Sequence, residues 1–241
     1  EGVGVAFTLE LTNDVQGDVT VAVSFADGTT ASGDFTHTTQ SFTFAGGAKG
    51  TKTVTVPTND DSFLETDETF TASLALTAGN SEVVVSDTGT GTITDNDVAS
   101  VTITDATAVE GVGVAFTLEL TNDVQGDVTV AVSFADGTTA SGDFTHTTQS
   151  ITFTGGAKGT KTVTVPTNDD TFLETDETFT ASLSLTAGNS EVVVSDTGTG
   201  TITDNDVASV TISDATAVEG VGVAFTLELT NDVQGDVTVA V

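Results

Sequence analysis

The sequence predicts an all-β protein in which one antiparallel β-sandwich is repeated in tandem with a period of 109 residues. Residues 1–109 return as 110–218 with five substitutions, and residues 219–241 repeat 1–23 without change. A fixed period of this length is typical of tandem copies of one folding unit. Val, Thr, Ile and Phe dominate the apolar segments, and these residues favour strands. We interpret the chain as an array in which the number of copies sets the length.

Alternation of apolar and polar residues marks seven strands in the second copy, because a strand of a sandwich buries one of its faces. The first six are predicted at 101–103, 114–120, 128–134, 151–153, 163–165 and 179–185. The seventh is predicted to run from 192 through a glycine-rich stretch to 202. Seven short strands joined by turn-rich segments indicate an immunoglobulin-like sandwich.

The charge balance is strongly acidic, with 36 Asp and Glu residues against four Lys and a net charge of −32. One period, 110–218, holds 16 acidic residues and two lysines, so its net charge is −14. Such self-repulsion destabilises a compact fold unless cations intervene. Nucleic acid and anionic membrane surfaces are poor partners for this chain, and the absence of Cys excludes disulfides.

Membrane segments are not expected. The sequence has no run of 18 apolar residues, and no charged stretch followed by an apolar one precedes Glu1. Neither a membrane span nor a signal peptide is therefore predicted, and we expect no direct insertion into a membrane.

The acidic residues concentrate in four segments that an up-and-down topology brings to one end of the sandwich. These segments are three connections, between the first and second, third and fourth, and fifth and sixth strands, and the end of the seventh strand. They contain Glu110, Asp136, Asp143, the run 168–177, Asp204 and Asp206. Carboxylates gathered in this way raise each other's pKa values. Oxygen ligands supplied by several loops are what Ca²⁺ takes, so we predict a calcium site at this end.

A simpler interpretation is that the acidic residues only keep the protein in solution. Solubilising residues would be scattered over the outward positions of the strands, but those positions are mostly Thr, Ser and Ala. The sequence contains no EF-hand loop, so a calcium site would have to be assembled by the fold. Calcium binding is the favoured hypothesis, with solubilisation as its alternative.

Four ordered motifs of the second copy resemble the successive signatures of a Calx-β domain. They are Val-Glu-Gly at 109–111, Ala-Asp-Gly-Thr-Thr-Ala-Ser-Gly-Asp-Phe at 135–144, Asp-Asp-x-x-x-Glu-x-Asp-Glu at 169–177 and Gly-Thr-Ile-Thr-Asp-Asn-Asp at 200–206. Calx-β domains are the calcium-binding β-sandwiches of sodium–calcium exchangers, and they also occur in tandem in bacterial surface and adhesion proteins. The resemblance covers every complete repeat.

This resemblance implies calcium ligands, position by position, in both copies. In the second copy they are the Phe172 carbonyl and the carboxylates of Glu110, Asp143, Asp169, Asp170, Glu174, Glu177, Asp204 and Asp206. In the first copy they are the carboxylates of Glu1, Asp34, Asp60, Asp61, Glu65, Glu68, Asp95 and Asp97. Asn96 and Asn205 stand where the family often has a third Asp. The resemblance implies more than one ion per complete site.

The repeat boundaries predict three segments: a repeat lacking its first strand (1–97), a complete repeat (98–206) and a partial repeat of three strands (207–241). Only Val207 and Ala208 separate Asp206 from the next predicted strand segment, and no Gly-, Ser- or Pro-rich linker intervenes. A cation bound after the seventh strand would lie directly against the next repeat and stiffen the joint. This spacing is typical of a rod rather than of beads on a flexible string.

These observations predict a calcium-rigidified structural array that is not an enzyme. It would be a stalk, extender or filament segment of a large extracellular, secreted bacterial surface or adhesion protein. Its expected partners are calcium ions and neighbouring repeats of the same array, with lateral or end-to-end self-association. The alternative is a calcium-sensing regulatory module whose interdomain angle responds to Ca²⁺. Near-identical copies favour the array, because calcium sensors usually contain unlike domains with different roles.

Other candidate sites are weaker. Each copy has one histidine, His37 or His146, in a Thr-rich loop, and no motif pairs it with a nucleophilic Ser or Thr. We therefore expect a surface or turn histidine rather than a general base. Sugar or protein binding would need exposed aromatic residues, but Trp and Tyr are absent and most Phe occupy inward strand positions.

Overall fold

A computed structural model of the chain describes residues 1–140 and 142–240. Ser141, in the predicted motif at 135–144, and Val241, the last residue of the predicted partial repeat, lie outside the described residues. The described chain is built from strands and contains no helix, which confirms the all-β prediction. It divides into two compact units, Glu1–Val98 and Ala99–Val241. The finer division at 97/98 and 206/207 stays a prediction.

The first unit is a sandwich of two antiparallel sheets. Strand β1 (Val5–Leu11) pairs with β4 (Gly50–Val56), and the second sheet has the order β3 (Gln40–Phe44), β2 (Val19–Asp27), β5 (Glu68–Ala78), β6 (Thr88–Ile93). Apolar side chains from both sheets form one buried cluster. Phe70 is fully buried at its centre and stacks on Phe35 with 4.2 Å between the ring centroids.

The second unit contains a complete sandwich and part of the next repeat. Its strands are β7 (Val101–Ile103), β8 (Ala106–Val109), β9 (Val114–Leu120), β10 (Val128–Asp136), β11 (Gln149–Phe153), β12 (Gly159–Val165), β13 (Glu177–Ala187), β14 (Thr197–Thr203), β15 (Val210–Ile212) and β16 (Leu227–Leu229). One sheet has the order β12-β9-β7 and the other the order β11-β10-β13-β14-β8. Strands β15 and β16 pair antiparallel, as β7 and β9 do. This topology confirms the predicted immunoglobulin-like sandwich.

Strand β9 shows how alternation places the core. Its sequence, Val-Ala-Phe-Thr-Leu-Glu-Leu, alternates strictly between buried and exposed residues. Strand β1 has the same sequence, but its apolar residues are less buried. The difference arises because β9 lies between β12 and β7, whereas the described partner of β1 is β4 alone. A sheet neighbour on each side is therefore what completes the burial of this strand.

Glycines in β14 leave room for a core aromatic ring. A Cβ added at Gly200 would lie 2.4 Å from Cζ of Phe179, far inside van der Waals contact. The Phe179 ring is buried there and stacks on Phe144 with centroids 4.2 Å apart. The glycine-rich stretch is therefore a regular strand that accommodates a ring.

The predicted start of the seventh strand is wrong. Residues 192–194 precede β14, and Val193 instead forms an isolated parallel bridge with Ser100. The Val193 amide donates to the Ala99 carbonyl at 3.0 Å, so this segment pairs with the chain before β7. Strand β8 was not predicted; it pairs with β14 in parallel and extends that sheet by one strand.

Candidate metal centre

Backbone hydrogen bonds join the predicted acidic segments of the second repeat at one end of its sandwich. The Gly111 amide donates to the Asn168 carbonyl at 3.2 Å, and the Asn168 amide donates to the Asp143 carbonyl at 2.8 Å. Glu110 is attached to the end of β14, because its amide donates to the Thr203 carbonyl at 3.0 Å. Three connections and the last strand therefore meet as the topology predicted.

Glu110 is the most buried carboxylate beside the end of β14, with 7% of its surface exposed. One of its oxygens accepts a hydrogen bond from the Asn205 amide at 3.0 Å. Oxygens of Glu110, Asp204 and Asp206 all lie within 4.8 Å of one another. Burial raises the pKa of Glu110 above its ordinary value, and the charges of Asp204 and Asp206 add to the rise.

Several oxygens in this end of each sandwich are buried without a hydrogen-bond partner among the described residues. In the second repeat they are Oδ1 of Asp204 and Oδ2 of Asp206. In the first repeat they are Oε2 of Glu1, Oδ1 of Asp95 and Oδ2 of Asp97. A buried carboxylate oxygen without a partner is costly, and such groups in native structures commonly mark an ion or water. The positions of these oxygens fit a bound cation.

A cavity of about 140 Å³ lies beside this trio and is also lined by carboxylates. Its acidic lining residues are Glu110, Asp143, Asp170, Glu174, Glu177 and Asp204. Glu177 is 7% exposed, and burial, a hydrogen bond with Asp143 and the nearby negative charges raise its pKa to about 7. Burial and the charges of Asp143 and Asp170 also raise the pKa of Glu174.

The acidic connection, which we define as residues 166–176 between β12 and β13, is folded by its own carboxylates. Oδ1 of Asp170 accepts a hydrogen bond from the Phe172 amide at 2.7 Å, and Oδ1 of Asp169 accepts one from Nδ2 of Asn205 at 3.1 Å. The charges of this connection also act on Asp206. Partial burial raises the pKa of Asp206, and the charges of Asp204, Asp170 and Asp169 raise it further. The trio after β14 and the carboxylates that line the cavity therefore interact electrostatically.

Gly111 of the Val-Glu-Gly motif is required by the close approach of the acidic connection. Its φ is +70°, in the left-handed region that favours glycine. A Cβ at this position would also lie 2.8 Å from Cβ of Asp169. The glycine therefore allows Asp169 to pack directly against the Val-Glu-Gly motif, and Gly2 has the same role beside Asp60 in the first repeat.

The first repeat holds its acidic residues in two trios. Oxygens of Glu1, Asp61 and Asp97 lie within 4.8 Å of one another, and so do oxygens of Asp34, Glu65 and Glu68. Burial, followed by the charges of Glu68 and Asp34, raises the pKa of Glu65 to about 7. Burial and neighbouring acids also raise the pKa of Glu1 and of Asp97.

All sixteen predicted carboxylates therefore lie at the acidic ends of the two sandwiches. Phe172 lies in the acidic connection, where its backbone amide donates a hydrogen bond to Asp170. Their role as calcium ligands stays a prediction. Sequence reasoning missed Asn168, whose backbone and side chain bond to the connections that carry Glu110 and Asp143. Its position directly before the Asp-Asp pair was the available signal.

The raised carboxyl pKa values predict an unusual pH dependence for the metal-free chain. Glu65 and Glu177 have pKa values of about 7, above the ordinary 4.5, so the folded state binds their protons more tightly than the unfolded state. This stabilisation is complete below about pH 4.5 and is lost as the pH rises through about 7. Calorimetric melting in metal-free buffer should therefore give a Tm that falls between about pH 5 and pH 8. A Tm that rises over this range would contradict the assignment.

The model of the Calx-beta domain family matches residues 1–107 and 93–216. No curated protein matches the chain. Among solved structures, the apo form of the Calx CBD1 domain matches at 19% identity, covering 46% of this chain and 100% of that one, with a TM-score of 0.40.

Two further solved structures match a longer part of the chain. CBD12 from CALX1.2 matches at 19% identity over 82% of this chain and 93% of that one, with a TM-score of 0.35. The calcium binding domain CBD12 of CALX1.1 matches at 18% identity over 83% of this chain and 93% of that one, with a TM-score of 0.37.

The family match spans both repeats that carry the four motifs, and it accounts for well over half of the chain. The prediction of calcium as the cofactor is supported by this match and by the acidic clusters that could hold such ions. The chain belongs to the Calx-beta domain family.

Proposed function

We propose that the chain is a calcium-rigidified structural array, a stalk, extender or filament segment of a large extracellular bacterial surface or adhesion protein. The observation that carries this proposal is the pair of buried, partnerless oxygens on Asp204 and Asp206. Three residues separate Asp206 from β15, the first strand of the next repeat. A cation that satisfies these oxygens would stand at the joint between repeats.

The donor sets suit calcium. Ca²⁺ lies about 2.3–2.6 Å from its oxygen ligands, so two ligands of one ion are at most about 5 Å apart. The oxygens of Glu110, Asp204 and Asp206 meet this limit, since they lie within 4.8 Å of one another. Asp143, Asp170, Glu174 and Glu177 offer further oxygens around the adjoining cavity. Mg²⁺ fits such an all-protein set poorly, because it requires near-octahedral geometry and keeps several waters.

Calcium would rigidify the joint by joining segments that otherwise repel one another. Glu110, the acidic connection and the residues after β14 belong to separate parts of the chain. After burial, the charges of neighbouring carboxylates raise the pKa values of Glu110, Glu174 and Asp206. A bound cation removes this repulsion and links the segments through shared ligands. The end of β14 is then fixed, and with it the start of the next repeat.

Ligand substitutions should separate this site from the other acidic residues. We expect Asp170→Ala combined with Glu174→Ala to abolish most calcium uptake by the second repeat, because both carboxylates line its cavity. The chain would keep the calcium bound by the first repeat, roughly half of the total. Calorimetric titration of calcium into the metal-free chain measures this loss.

The matched control is Glu119→Ala, which removes an exposed carboxylate from β9. It should leave the number of bound calcium ions unchanged. If this control loses as much calcium as the double variant, the acidic residues act through their total charge and the assignment of ligands is wrong.

The alternative, a calcium sensor, differs from the array in affinity. Sensor sites bind calcium at about 0.1–10 μM, whereas extracellular modules bind it at about 0.1–1 mM. We expect the millimolar range, because the two repeats differ at only five positions and show no division of labour. A micromolar dissociation constant in the same titration would favour the sensor.

An extracellular location and self-association of the chains belong to the same proposal. Calcium at millimolar concentration is needed to fill weak sites, and this favours the outside of the cell. Among the described residues, no helix has the length and hydropathy of a membrane span. We propose neighbouring repeats and other copies of the array as partners.

The proposal includes no catalysis. Nε2 of His146 lies 2.7 Å from Oδ1 of Asp136, and its ring stacks on Phe144 with centroids 4.0 Å apart. Oδ1 of Asp136 also accepts a hydrogen bond from Oγ1 of Thr139 at 3.2 Å. These contacts hold the connection between β10 and β11, which is a structural role.

A further inference from the structure

Within the second unit, the acidic connection contacts the following repeat directly. Leu173 and Val233 form an isolated parallel β-bridge. The Leu173 amide donates to the Asp232 carbonyl at 3.0 Å, and the Gln234 amide donates to the Leu173 carbonyl at 2.8 Å. Two main-chain hydrogen bonds therefore fix the register between the acidic connection and residues 231–234, which we call the docking turn.

Side chains add to this bridge on both sides. Oε1 of Gln234 accepts hydrogen bonds from Oγ1 of Thr175 at 2.8 Å and from the Thr175 amide at 3.3 Å. Nδ2 of Asn231 donates to the carbonyl of Val207 at 2.7 Å, within the three-residue joint 207–209. The docking turn is thus attached to the acidic connection at one end and to the joint at the other.

The segment that receives the docking turn is also the segment that carries the candidate metal ligands. Leu173 and Thr175 flank Glu174, which lines the metal cavity, and the amide of Phe172 is held by Asp170. The backbone of residues 172–175 therefore serves the cavity and the docking turn at once. A change in the conformation of this backbone at the cavity must therefore alter its contact with the docking turn.

The charges of the two segments oppose this contact. The acidic connection contains four acidic residues, the docking turn contains Asp232, and neither segment contains Lys or Arg. Like charges brought together in this way repel one another, and a bound cation relieves the repulsion. Docking is therefore expected to be stronger when the metal centre is occupied.

We propose that the docking turn and the acidic connection form a calcium-dependent latch between consecutive repeats, with Gln234 and Thr175 as its specificity-determining pair. This inference rests on the proposed function, since it assumes that the metal centre takes calcium. Both halves of the latch recur in the sequence, as Leu-Glu-Thr at 64–66 and 173–175 and as Asn-Asp-Val-Gln at 13–16, 122–125 and 231–234. Consecutive repeats therefore carry matching halves, and the partner is another copy of the same repeat.

Linkage gives the test. If calcium strengthens docking by some factor, docking must strengthen calcium binding by the same factor. We expect Gln234→Ala or Thr175→Ala in the 241-residue chain to weaken calcium binding by the second repeat about fivefold, the effect of one hydrogen bond. The two changes together should weaken it no more than the stronger single change. Calcium titration followed by the amide resonance of Phe172 reports this repeat alone.

Two control variants remove equivalent hydrogen bonds elsewhere in the second repeat. Nε2 of Gln149 donates to the Thr164 carbonyl at 2.8 Å, and Oγ1 of Thr186 donates to the Thr129 carbonyl at 3.0 Å. Gln149→Ala and Thr186→Ala should leave calcium affinity unchanged. An equal loss in these controls would show a general effect of destabilisation and overturn the latch.

Hydrogen exchange measures docking itself. The amides of Leu173 and Gln234 should exchange about tenfold faster in chelator than in saturating calcium, because both lose their partners when the latch opens. The amide of Thr230, which donates to Ser209 within the following repeat, is the internal reference. If calcium binds but these two amides and the variants show no change, the latch is wrong and the proposed function stands. If no calcium binds, both are wrong.

Discussion

Excess calcium should raise the melting temperature of the chain by about 10 °C or more above its value in excess chelator at the same ionic strength. A ligand that binds only the folded state stabilises it by about 2.7 kcal/mol per site at 100 times its dissociation constant. For a domain of about 100 residues, about 1 kcal/mol shifts the melting temperature by about 4–8 °C. The partnerless oxygens of Asp204 and Asp206 make this gain specific to a cation.

Magnesium and sodium provide the controls for this melting experiment. Magnesium at the same concentration should stabilise the chain much less, because an all-protein carboxylate set does not suit its octahedral geometry. Sodium chloride at matched ionic strength screens exposed charges but does not fill a site. Equal midpoints in calcium and in chelator would refute the metal centre and restore simple solubilisation as the explanation of the acidic residues.

Calcium should also change the shape of a longer array, and this is the second large effect that we expect. Strand β13 has 11 residues and spans about 36 Å at about 3.3 Å per residue, so each repeat should add about 35–45 Å once its loops are included. With calcium bound, the short joint of residues 207–209 leaves little freedom to pivot. Without calcium, repulsion among the acidic segments should loosen the joint while the sandwiches stay folded.

The strands were largely predictable because alternation directly reflects burial in a two-layer sandwich. The seven residues of β9 alternate in sequence as they alternate in exposure. The exceptions are segments whose pairing depends on distant backbone. Val193 looks like part of a strand in sequence, but its partner is Ser100. Strand β8 has only four residues, and its parallel pairing with β14 leaves no local pattern.

The candidate site was predictable at the level of segments rather than of interactions. The topology alone brings Glu110, Asp143, the acidic connection and Asp204 to one end. The sequence also indicates that these carboxylates repel one another, but it does not show that Glu177 and Glu65 have the most strongly raised pKa values. That depends on burial behind the acidic connection, which only the folded chain defines.

The contacts of Asn168 and of the docking turn illustrate the same limit. Asn168 holds Gly111 and Asp143 through its main chain, and any residue type can supply those two bonds. Leu173 and Gln234 likewise bond through main-chain atoms. Main-chain hydrogen bonds between distant segments have no sequence signature, so these features are found only in the structure.

Small-angle scattering from a chain of four complete repeats tests the central claim, that calcium at the joint stiffens the array, most directly. With saturating calcium, the maximum dimension should approach four repeat lengths, about 140–180 Å. In chelator, the distance distribution should shorten and broaden, while circular dichroism still shows folded strands. A maximum dimension and distribution that chelator leaves unchanged would contradict the account, even if calcium binds.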